Sequence, residues 1–221
     1  AGQDSNDSTS VAAPADYLTG IADGVKGMKF ALPKEFLSEA LAPDIAAALR
    51  HTAARLTALG ATVEEVTMPE LDKALPAYYV ISSAEASSNL ARFDGVKYGF
   101  RAQNFTDIHS LYKETRSQGF GAEVKRRILL GSYVLSAGYY DAYYKKALEV
   151  RALIKAAFDK VFEQYDAVLS PVAPTTAYKL GEKVDDPLAM YLGDVYTVPV
   201  NIAGLPSLSL PCGQDHEGLP I

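Results

Sequence analysis

Apolar and polar positions follow strand-like and helix-like spacing in turn near the start of the chain. Residues 28–32 form a short apolar run, which is typical of a buried strand. Apolar residues then recur at helical spacing from Pro43 until Gly60, a residue type that commonly ends helices, and residues 62–67 form a second strand-like run. Strand, helix and strand within about 40 residues predict a βαβ unit with parallel strands.

Helical spacing dominates the middle of the chain. The pattern predicts a helix over 74–91, two helices over 107–135 with a break near Gly119 and Gly121, and a long amphipathic helix from about Tyr139 to Gln164. We expect helices to cover the sheet, so the sequence predicts an α/β fold.

Shorter elements are predicted towards the end of the chain. Residues 166–170 are typical of a buried strand, residues 187–202 mix helix and turn signals, and Leu208 to Pro211 predicts a last short strand. A polar turn over 213–218 and a brief apolar run to Ile221 follow, so we expect the natural chain to continue. The polar opening segment, which has no initiator Met, favours an interior piece of a longer protein.

Composition narrows the classes of function. Hydrophobic residues make up 48% of the 221 residues and charged residues 22%, without a run of about 18 apolar residues that would span a membrane. Length alone leaves one or two domains open. The net charge of −6 argues against a nucleic-acid interface, and the single Cys212 cannot form an intrachain disulfide. We therefore expect a cytoplasmic protein.

Most candidate reactive residues are better interpreted as structural. His51, His109 and His216 lie far apart and lack metal-ligand spacing, so no metal site is predicted. Cys212 has no neighbouring base and is interpreted as a small buried hydrophobe. The serine pairs at 82–83 and 87–88 lie within a helical pattern, whereas a nucleophilic serine needs a tight turn and an oxyanion hole.

Two charged sites in the sequence can each be interpreted either as structural or as ligand-binding. Arg126 and Arg127 would ordinarily be a solvated helix end, but a guanidinium there could bind a carboxylate through two parallel N–H bonds. Asp194 would ordinarily cap a helix, but its carboxylate could bind an ammonium group. Spacing alone does not decide between these alternatives.

A longer motif points to a known family. The run from Ser83 to Gly95 (SAEASSNLARFDG) resembles the central signature of the A subunits of glutamyl-tRNA(Gln) amidotransferases, which belong to the amidase signature family. Further matches follow in chain order at residues 4–10, 119–131, 138–144, 170–176 and 199–206. The resemblance therefore covers essentially the whole chain.

The resemblance implies a fold and a boundary. It implies the three-layer amidase-type fold, a mixed sheet covered by helices, of which residues 1–221 would be a single, partial α/β domain lacking the N-terminal half and the last C-terminal segment. The family's Ser-cisSer-Lys catalytic triad lies in a Gly-Ser-rich segment of that N-terminal half. No catalytic residue is therefore assigned in this chain, and we expect it to be inactive in isolation.

The resemblance also implies an activity and partners. Members hydrolyse glutamine and pass ammonia to a partner, which converts Glu-tRNA(Gln) to Gln-tRNA(Gln). It implies a heterotrimer with B and C subunits, in which ATP, Mg²⁺ and most of the tRNA are bound by the partner and no cofactor by this chain. The identity of the tRNA product, Gln-tRNA alone or also Asn-tRNA, would belong to that partner.

Three substrate-binding positions follow from the family motifs. By motif position, Tyr78, Arg127 and Asp194 resemble the residues that hold glutamine. Arg127 would bind the α-carboxylate, Asp194 the α-ammonium group, and Tyr78 would offer a hydroxyl. The choice of Arg127 over Arg126 rests on this alignment of motifs.

Two other functions compete with this one. The protein could be a stand-alone amidase of the same superfamily, which need not keep an Arg and Asp pair for a zwitterionic substrate. The isolated chain could also be a non-catalytic scaffold for partner docking, with the Tyr139 to Tyr144 stretch either docking a partner or buried in the core.

Overall fold

The computed structural model describes residues 3–12, 16–182 and 187–221. Seven helices and three strands are found there, together with 3-10 turns at Lys34–Leu37 and Pro69–Lys73. The strands are β1 (Lys29–Pro33), β2 (Thr62–Val66) and β3 (Ala167–Val168). The helices are α1 (Pro43–Ala58), α2 (Ala74–Leu90), α3 (Ile108–Gly119), α4 (Ala122–Val134), α5 (Lys146–Phe162), α6 (Pro187–Leu192) and α7 (Val198–Ala203). In this part of the chain, none of the helices combines the length and apolar character needed to cross a bilayer.

The strands form one parallel sheet with β1 in the middle. The order is β2-β1-β3, with Lys29 beside Thr62 and Phe30 beside both Val63 and Ala167. Four of the five β1 residues are buried, as expected for a central strand covered by helices. The predicted βαβ unit and the α/β class are confirmed.

The predicted helix boundaries agree with local chemistry. Pro43 occupies the first turn of α1, where its missing N–H costs nothing. Gly60, just past the end of α1, has a φ of +93°, a left-handed conformation that glycine adopts without strain. Asp107 accepts a hydrogen bond from the Ser110 N–H at 2.7 Å and caps α3. α3 ends at Gly119 and α4 begins directly after Gly121, so the predicted break between the two helices is confirmed.

The core joins the C-terminal helices to the sheet side of the molecule. Phe158 and Ile154 of α5 are buried against Phe36, Ile45 of α1 and Tyr196. The Phe36 and Tyr196 rings meet edge to face at 5.7 Å. Other buried members of this cluster are Leu41, Met68, Leu71, Ala74, Val198, Ile202 and Ala203. The cluster fixes α5 and α7 relative to the βαβ unit.

The long helix predicted from Tyr139 is present but begins irregularly. Residues Tyr140–Lys145 form a π-helix that continues directly into α5. The preceding Gly138 has a φ of +90°. Several tyrosine rings pack here with centroid distances of 4.3 to 6.1 Å, and each is 42–45% exposed. These half-exposed rings, which we call the tyrosine cluster, are Tyr133, Tyr139 and Tyr143.

The end of the chain differs from the sequence prediction. No strand forms at Leu208 to Pro211 among the described residues, and the Leu208 and Leu210 side chains are 82% and 69% exposed. A strand requires a neighbouring strand for its ladder hydrogen bonds, and this segment has none within the described sheet. Instead the end folds back through a single antiparallel bridge between Gln214 and Pro220. Cys212 is exposed, so its interpretation as a buried hydrophobe was wrong.

Helices α2 and α4 approach each other closely. A Cβ added at Gly131 of α4 would lie 2.0 Å from the Ser83 carbonyl oxygen of α2, so only glycine fits. One turn along, the Ser87 and Ser132 hydroxyls hydrogen-bond at 2.9 Å. The serine pairs lie on α2, as predicted, and small side chains there make this contact possible.

Candidate functional site

The three predicted substrate-binding residues lie on separate elements and meet around a fourth residue. Tyr78 is on α2, Arg127 on α4, and Asp194 in the turn between α6 and α7. The Tyr79 hydroxyl donates a hydrogen bond to Asp194 Oδ2 at 3.1 Å, and the Arg127 guanidinium lies over the Tyr79 ring, 5.5 Å from its centroid. The Tyr78 ring packs edge to face on Tyr79 at 5.2 Å. The structure therefore brings Tyr78, Arg127 and Asp194 into one cluster.

Glu123 holds the arginine side of this cluster. Its Oε1 accepts hydrogen bonds from Arg127 Nε at 3.0 Å and from the Tyr191 hydroxyl at 2.9 Å. Its other oxygen, Oε2, pairs with Arg126 Nη1. Glu123 lies one helical turn before Arg127, so α4 itself sets their spacing. The Tyr191 ring contacts the Tyr79 ring at a tilt of 39°, with centroids 4.4 Å apart, and completes the group.

The surroundings shift the pKa values of Arg127, Glu123 and Tyr79. Burial lowers the pKa of Arg127, but its contacts with Glu123 and Tyr78 outweigh that effect and leave the pKa raised. Burial raises the pKa of Glu123, but hydrogen bonds from Arg127 and Tyr191 and the nearby arginine charges leave it lowered. Burial, followed by the negative charge of Asp194, raises the pKa of Tyr79 far above its usual range. Tyr79 is therefore a neutral hydrogen-bond donor that lies between the Arg127 guanidinium and the Asp194 carboxylate.

These residues surround a small pocket at the seam between α2 and α4. The pocket has a volume of about 200 Å³ and is lined by Tyr79, Ser83, Arg126, Arg127, Leu130 and Tyr191. This volume is below the roughly 300 Å³ at which drug-sized sites begin, so the pocket suits a molecule smaller than a typical drug. Of the predicted residues, Arg127 lines the pocket, whereas Tyr78 and Asp194 contact the lining residues Arg127 and Tyr79.

The two adjacent arginines have different surroundings. The Arg127 side chain is 30% exposed and lies over Tyr79, whereas the Arg126 side chain is 57% exposed. Successive helical residues point about 100° apart, so the two guanidinium groups approach the pocket from different directions and Arg126 is the more exposed of the two. A partly desolvated guanidinium binds a carboxylate more strongly than an exposed one.

Sequence reasoning missed Tyr79, Glu123 and Tyr191. Tyr79 neighbours a predicted residue and Glu123 is four residues before Arg127, so helical spacing offered a signal for Glu123. Tyr191 is 68 residues from Glu123, and local spacing gives no indication of that contact. Aromatic rings and helix-borne charges are common in cores and on surfaces, so residue type alone did not distinguish them.

Other candidate chemistry lies apart from this pocket. His216 Nδ1 lies 2.6 Å from Asp44 Oδ2 at the start of α1, and this contact raises the pKa of His216. Residues 3–12, 16–182 and 187–221 contain no group of three or more His, Cys, Asp and Glu side chains placed to bind a metal ion. The His216–Asp44 pair joins the last turn to α1.

Comparison with known proteins identifies relatives of the chain. A family model described as Amidase matches residues 1–221. The chain is 58% identical to the A subunit of glutamyl-tRNA(Gln) amidotransferase from Agathobacter rectalis, over all of this chain and 44% of that protein. It is 55% identical to the same subunit from Staphylococcus aureus, over all of this chain and 45% of that protein. The chain thus spans a little under half the length of these curated relatives.

Solved structures show the same fold. The chain superposes on the A subunit of glutamyl-tRNA(Gln) amidotransferase from Thermotoga maritima with a TM-score of 0.72 and 40% identity, over 99% of this chain and 42% of that one. A bacterial aryl acylamidase of the amidase signature family superposes with a TM-score of 0.70 over 99% of this chain and 44% of that one, at 21% identity. The second likeness concerns the fold alone.

Proposed function

The chain belongs to the amidase family, and from that premise we propose that it is the glutamine-binding part of the A subunit of a glutamyl-tRNA(Gln) amidotransferase. In the whole protein this part would hold glutamine while its side-chain amide is hydrolysed. The released ammonia would convert Glu-tRNA(Gln) to Gln-tRNA(Gln). The relatives that bear this name cover the entire chain at 55–58% identity.

One observation carries the proposal: the charges around the pocket match those of a free amino acid. Arg126 and Arg127 are balanced by Glu123 and Asp194, so the cluster has no net charge. A zwitterion presents one carboxylate and one ammonium group, which fit a guanidinium and a carboxylate respectively. Tyr78, Arg127 and Asp194 remain the proposed substrate-binding residues, with Tyr79 between the last two.

The position of each arginine supports Arg127 as the residue that binds the α-carboxylate. Arg127 is the less exposed of the two and lies over Tyr79, whose hydroxyl contacts Asp194. A planar guanidinium in that position can present two parallel N–H bonds to a carboxylate. Arg126, the more exposed of the two, contributes charge balance through Glu123.

In this proposal binding serves catalysis by orienting the substrate. Holding the α-carboxylate and α-ammonium groups fixes one end of glutamine and leaves the side-chain amide to project from the pocket. A serine activated by a lysine, from the part of the protein outside residues 1–221, would attack the amide carbon and form an acyl-enzyme that water hydrolyses. The residues of this chain therefore bind and orient, and we assign none of them a covalent role.

The proposed assembly includes B and C subunits in the cytoplasm. ATP and Mg²⁺ would be bound by the partner, which would also hold most of the Glu-tRNA(Gln). The tyrosine cluster supports a docking role, because interface cores are enriched in tyrosine and these three rings are each 42–45% exposed.

The test is glutamine hydrolysis by the full-length protein purified with its partner subunits. We expect Arg127→Ala to lower kcat/KM for glutamine roughly 10- to 150-fold, mainly through KM, because a charged hydrogen bond of this kind is worth about 1.5–3 kcal/mol. Asp194→Ala should act in the same direction. Circular dichroism of each variant verifies folding.

Arg126→Ala is the matched comparison, since it removes the same group from the neighbouring position, which also lines the pocket but is more exposed. It should change kcat/KM for glutamine by less than about ten-fold. Normal glutamine hydrolysis by both Arg127→Ala and Asp194→Ala would refute the proposed binding site. Efficient hydrolysis of simple amides without charged groups would instead favour a stand-alone amidase.

A further inference from the structure

One carboxylate contacts both sides of the proposed glutamine site. Glu123 Oε1 accepts hydrogen bonds from Arg127 on α4 and from Tyr191 on α6. We infer that Glu123 is a positioning residue that orients Arg127 and fixes its separation from Asp194, so that the site selects α-amino acids. This inference rests on the proposed function and assigns Glu123 no direct contact with substrate.

The contact with Arg127 leaves the guanidinium able to bind a ligand. Glu123 receives the Nε–H, which is one of five N–H donors on an arginine side chain. A guanidinium held at Nε cannot rotate freely about its stem, so its terminal N–H groups keep one direction. Stacking over the Tyr79 ring restricts the same side chain from another side. Preorganisation of this kind lowers the entropy lost when a carboxylate binds.

Through its contact with Tyr191, Glu123 also restrains the position of Asp194. Tyr191 is three residues before Asp194, and the Asp194 N–H donates to the Tyr191 carbonyl oxygen at 3.1 Å, which closes the turn between them. The Tyr191 ring also packs at a tilt on the Tyr79 ring, and the Tyr79 hydroxyl in turn donates a hydrogen bond to Asp194. Glu123 therefore joins α4 to the turn that carries the proposed ammonium-binding residue, and it sets the spacing of the two opposite charges.

The surroundings keep Glu123 ionised. The hydrogen bonds from Arg127 and Tyr191 outweigh burial and hold the pKa of this carboxyl below its usual range. Arg126 pairs with the second carboxylate oxygen. An ionised Glu123 also keeps the cluster neutral, which suits a zwitterion better than an anion.

The experiment measures kcat/KM for two amides on the full-length protein with its partner subunits. Glutamine carries both α-groups, whereas 4-aminobutanamide lacks only the α-carboxylate. We expect Glu123→Ala to lower kcat/KM for glutamine about 10- to 30-fold through KM, the lower part of the range for a lost charged hydrogen bond, because the Glu123 side chain is 44% exposed. The value for 4-aminobutanamide should change less than about two-fold, because Arg127 has no carboxylate to bind there.

Two further variants, with one control, distinguish a positioning role of Glu123 from a general effect of its loss on the structure. Glu123→Gln keeps an acceptor in the same place and should recover part of the lost affinity. In the Arg127→Ala background, Glu123→Ala should cost much less than it does alone, because residues that act through one another are non-additive. Asp159→Ala is the matched control: Asp159 is a half-exposed carboxylate paired with Lys155 on α5, and its loss should leave both amides unaffected.

The outcomes distinguish this inference from the proposed function. Equal losses for both amides, or no loss for glutamine, in Glu123→Ala would overturn the positioning role. If Arg127→Ala abolishes glutamine binding while Glu123→Ala does not alter it, the inference alone fails. If Arg127→Ala and Asp194→Ala both hydrolyse glutamine normally, the proposed glutamine-binding site itself fails.

Discussion

The sheet side of the molecule and the α2–α4 seam are built in different ways. On the sheet side, β1, α1 and β2 follow each other in sequence, and buried apolar side chains such as Ile45 and Phe158 hold them together. At the seam, two helices approach through Gly131, and polar contacts join residues as far apart as Tyr79 and Asp194. The first region depends on apolar burial, whereas the second depends on close fit and charge.

This contrast has a consequence for mutation. Apolar contacts are non-directional, so a core residue lost on the sheet side should cost stability without a specific effect on the site. A change at the seam displaces hydrogen-bond donors and acceptors of the proposed glutamine site. It should therefore weaken glutamine binding even where the free energy of unfolding falls little. The following substitutions probe that difference in order of expected effect.

The largest expected effect is on the sheet side. Phe158 is 1% exposed in the main core cluster, so Phe158→Ala should lower the free energy of unfolding by about 3–5 kcal/mol through lost burial and a residual cavity. Urea denaturation monitored by circular dichroism measures this change in the free energy of unfolding. The control is Phe162→Ala on the same helix, where the ring is 40% exposed and the loss should be clearly smaller. Equal losses at the two positions would contradict this account of the core.

A smaller stability effect is expected at the seam. The added Cβ of Gly131→Ala would collide with the Ser83 carbonyl oxygen, so α2 and α4 must separate, at a cost of about 1–3 kcal/mol. Because Tyr79 and Arg127 lie on those helices, the KM for glutamine of the full-length protein should rise as well.

Thermal unfolding and glutaminase assays test the Gly131 variant together with Gly213→Ala. At Gly213 the nearest atom to an added Cβ is 3.9 Å away, so that variant should retain both stability and KM. A Gly131→Ala protein with unchanged KM would show that the pocket does not depend on the helix spacing.

The smallest effect concerns the solvent-accessible His216–Asp44 pair, which joins the last turn of the chain to the start of α1, away from the buried core and from the seam. The hydrogen bond and charge of Asp44 raise the pKa of His216, while His216 lowers the pKa of Asp44. A raised histidine pKa gives stability that is present below its ordinary value of about 6.5 and is lost as pH rises through the raised value. The lowered carboxyl pKa gives stability that is present above about 3.8 and is lost as pH falls. The pair should therefore stabilise the folded state in mildly acidic solution, between these two pH limits.

Titration of the His216 ring protons by NMR tests this pair. Asp44→Asn should lower the pKa of His216, and the small stability difference between wild type and His216→Ala should be present near pH 5.5 and absent near pH 8.5. An unchanged His216 pKa in Asp44→Asn would show that the contact does not persist in solution.

The sequence alone determined the regular elements and the family. Periodicity placed α1, α2 and the break between α3 and α4, because each depends on neighbours within a few residues and on end signals such as Gly60. The run from Ser83 to Gly95 is enough by itself to indicate the family. Leu208 to Pro211 was predicted wrongly, since a strand needs a partner strand that its own sequence does not specify.

Only the tertiary structure decided how the site is assembled. The motifs named Tyr78, Arg127 and Asp194, but the contacts of Tyr79 with Asp194 and of Glu123 with Tyr191 span 115 and 68 residues of sequence. Such contacts depend on the crossing of α2 and α4 at Gly131 and on the turn after α6. Local propensity carries no information about either, because both result from packing between distant segments.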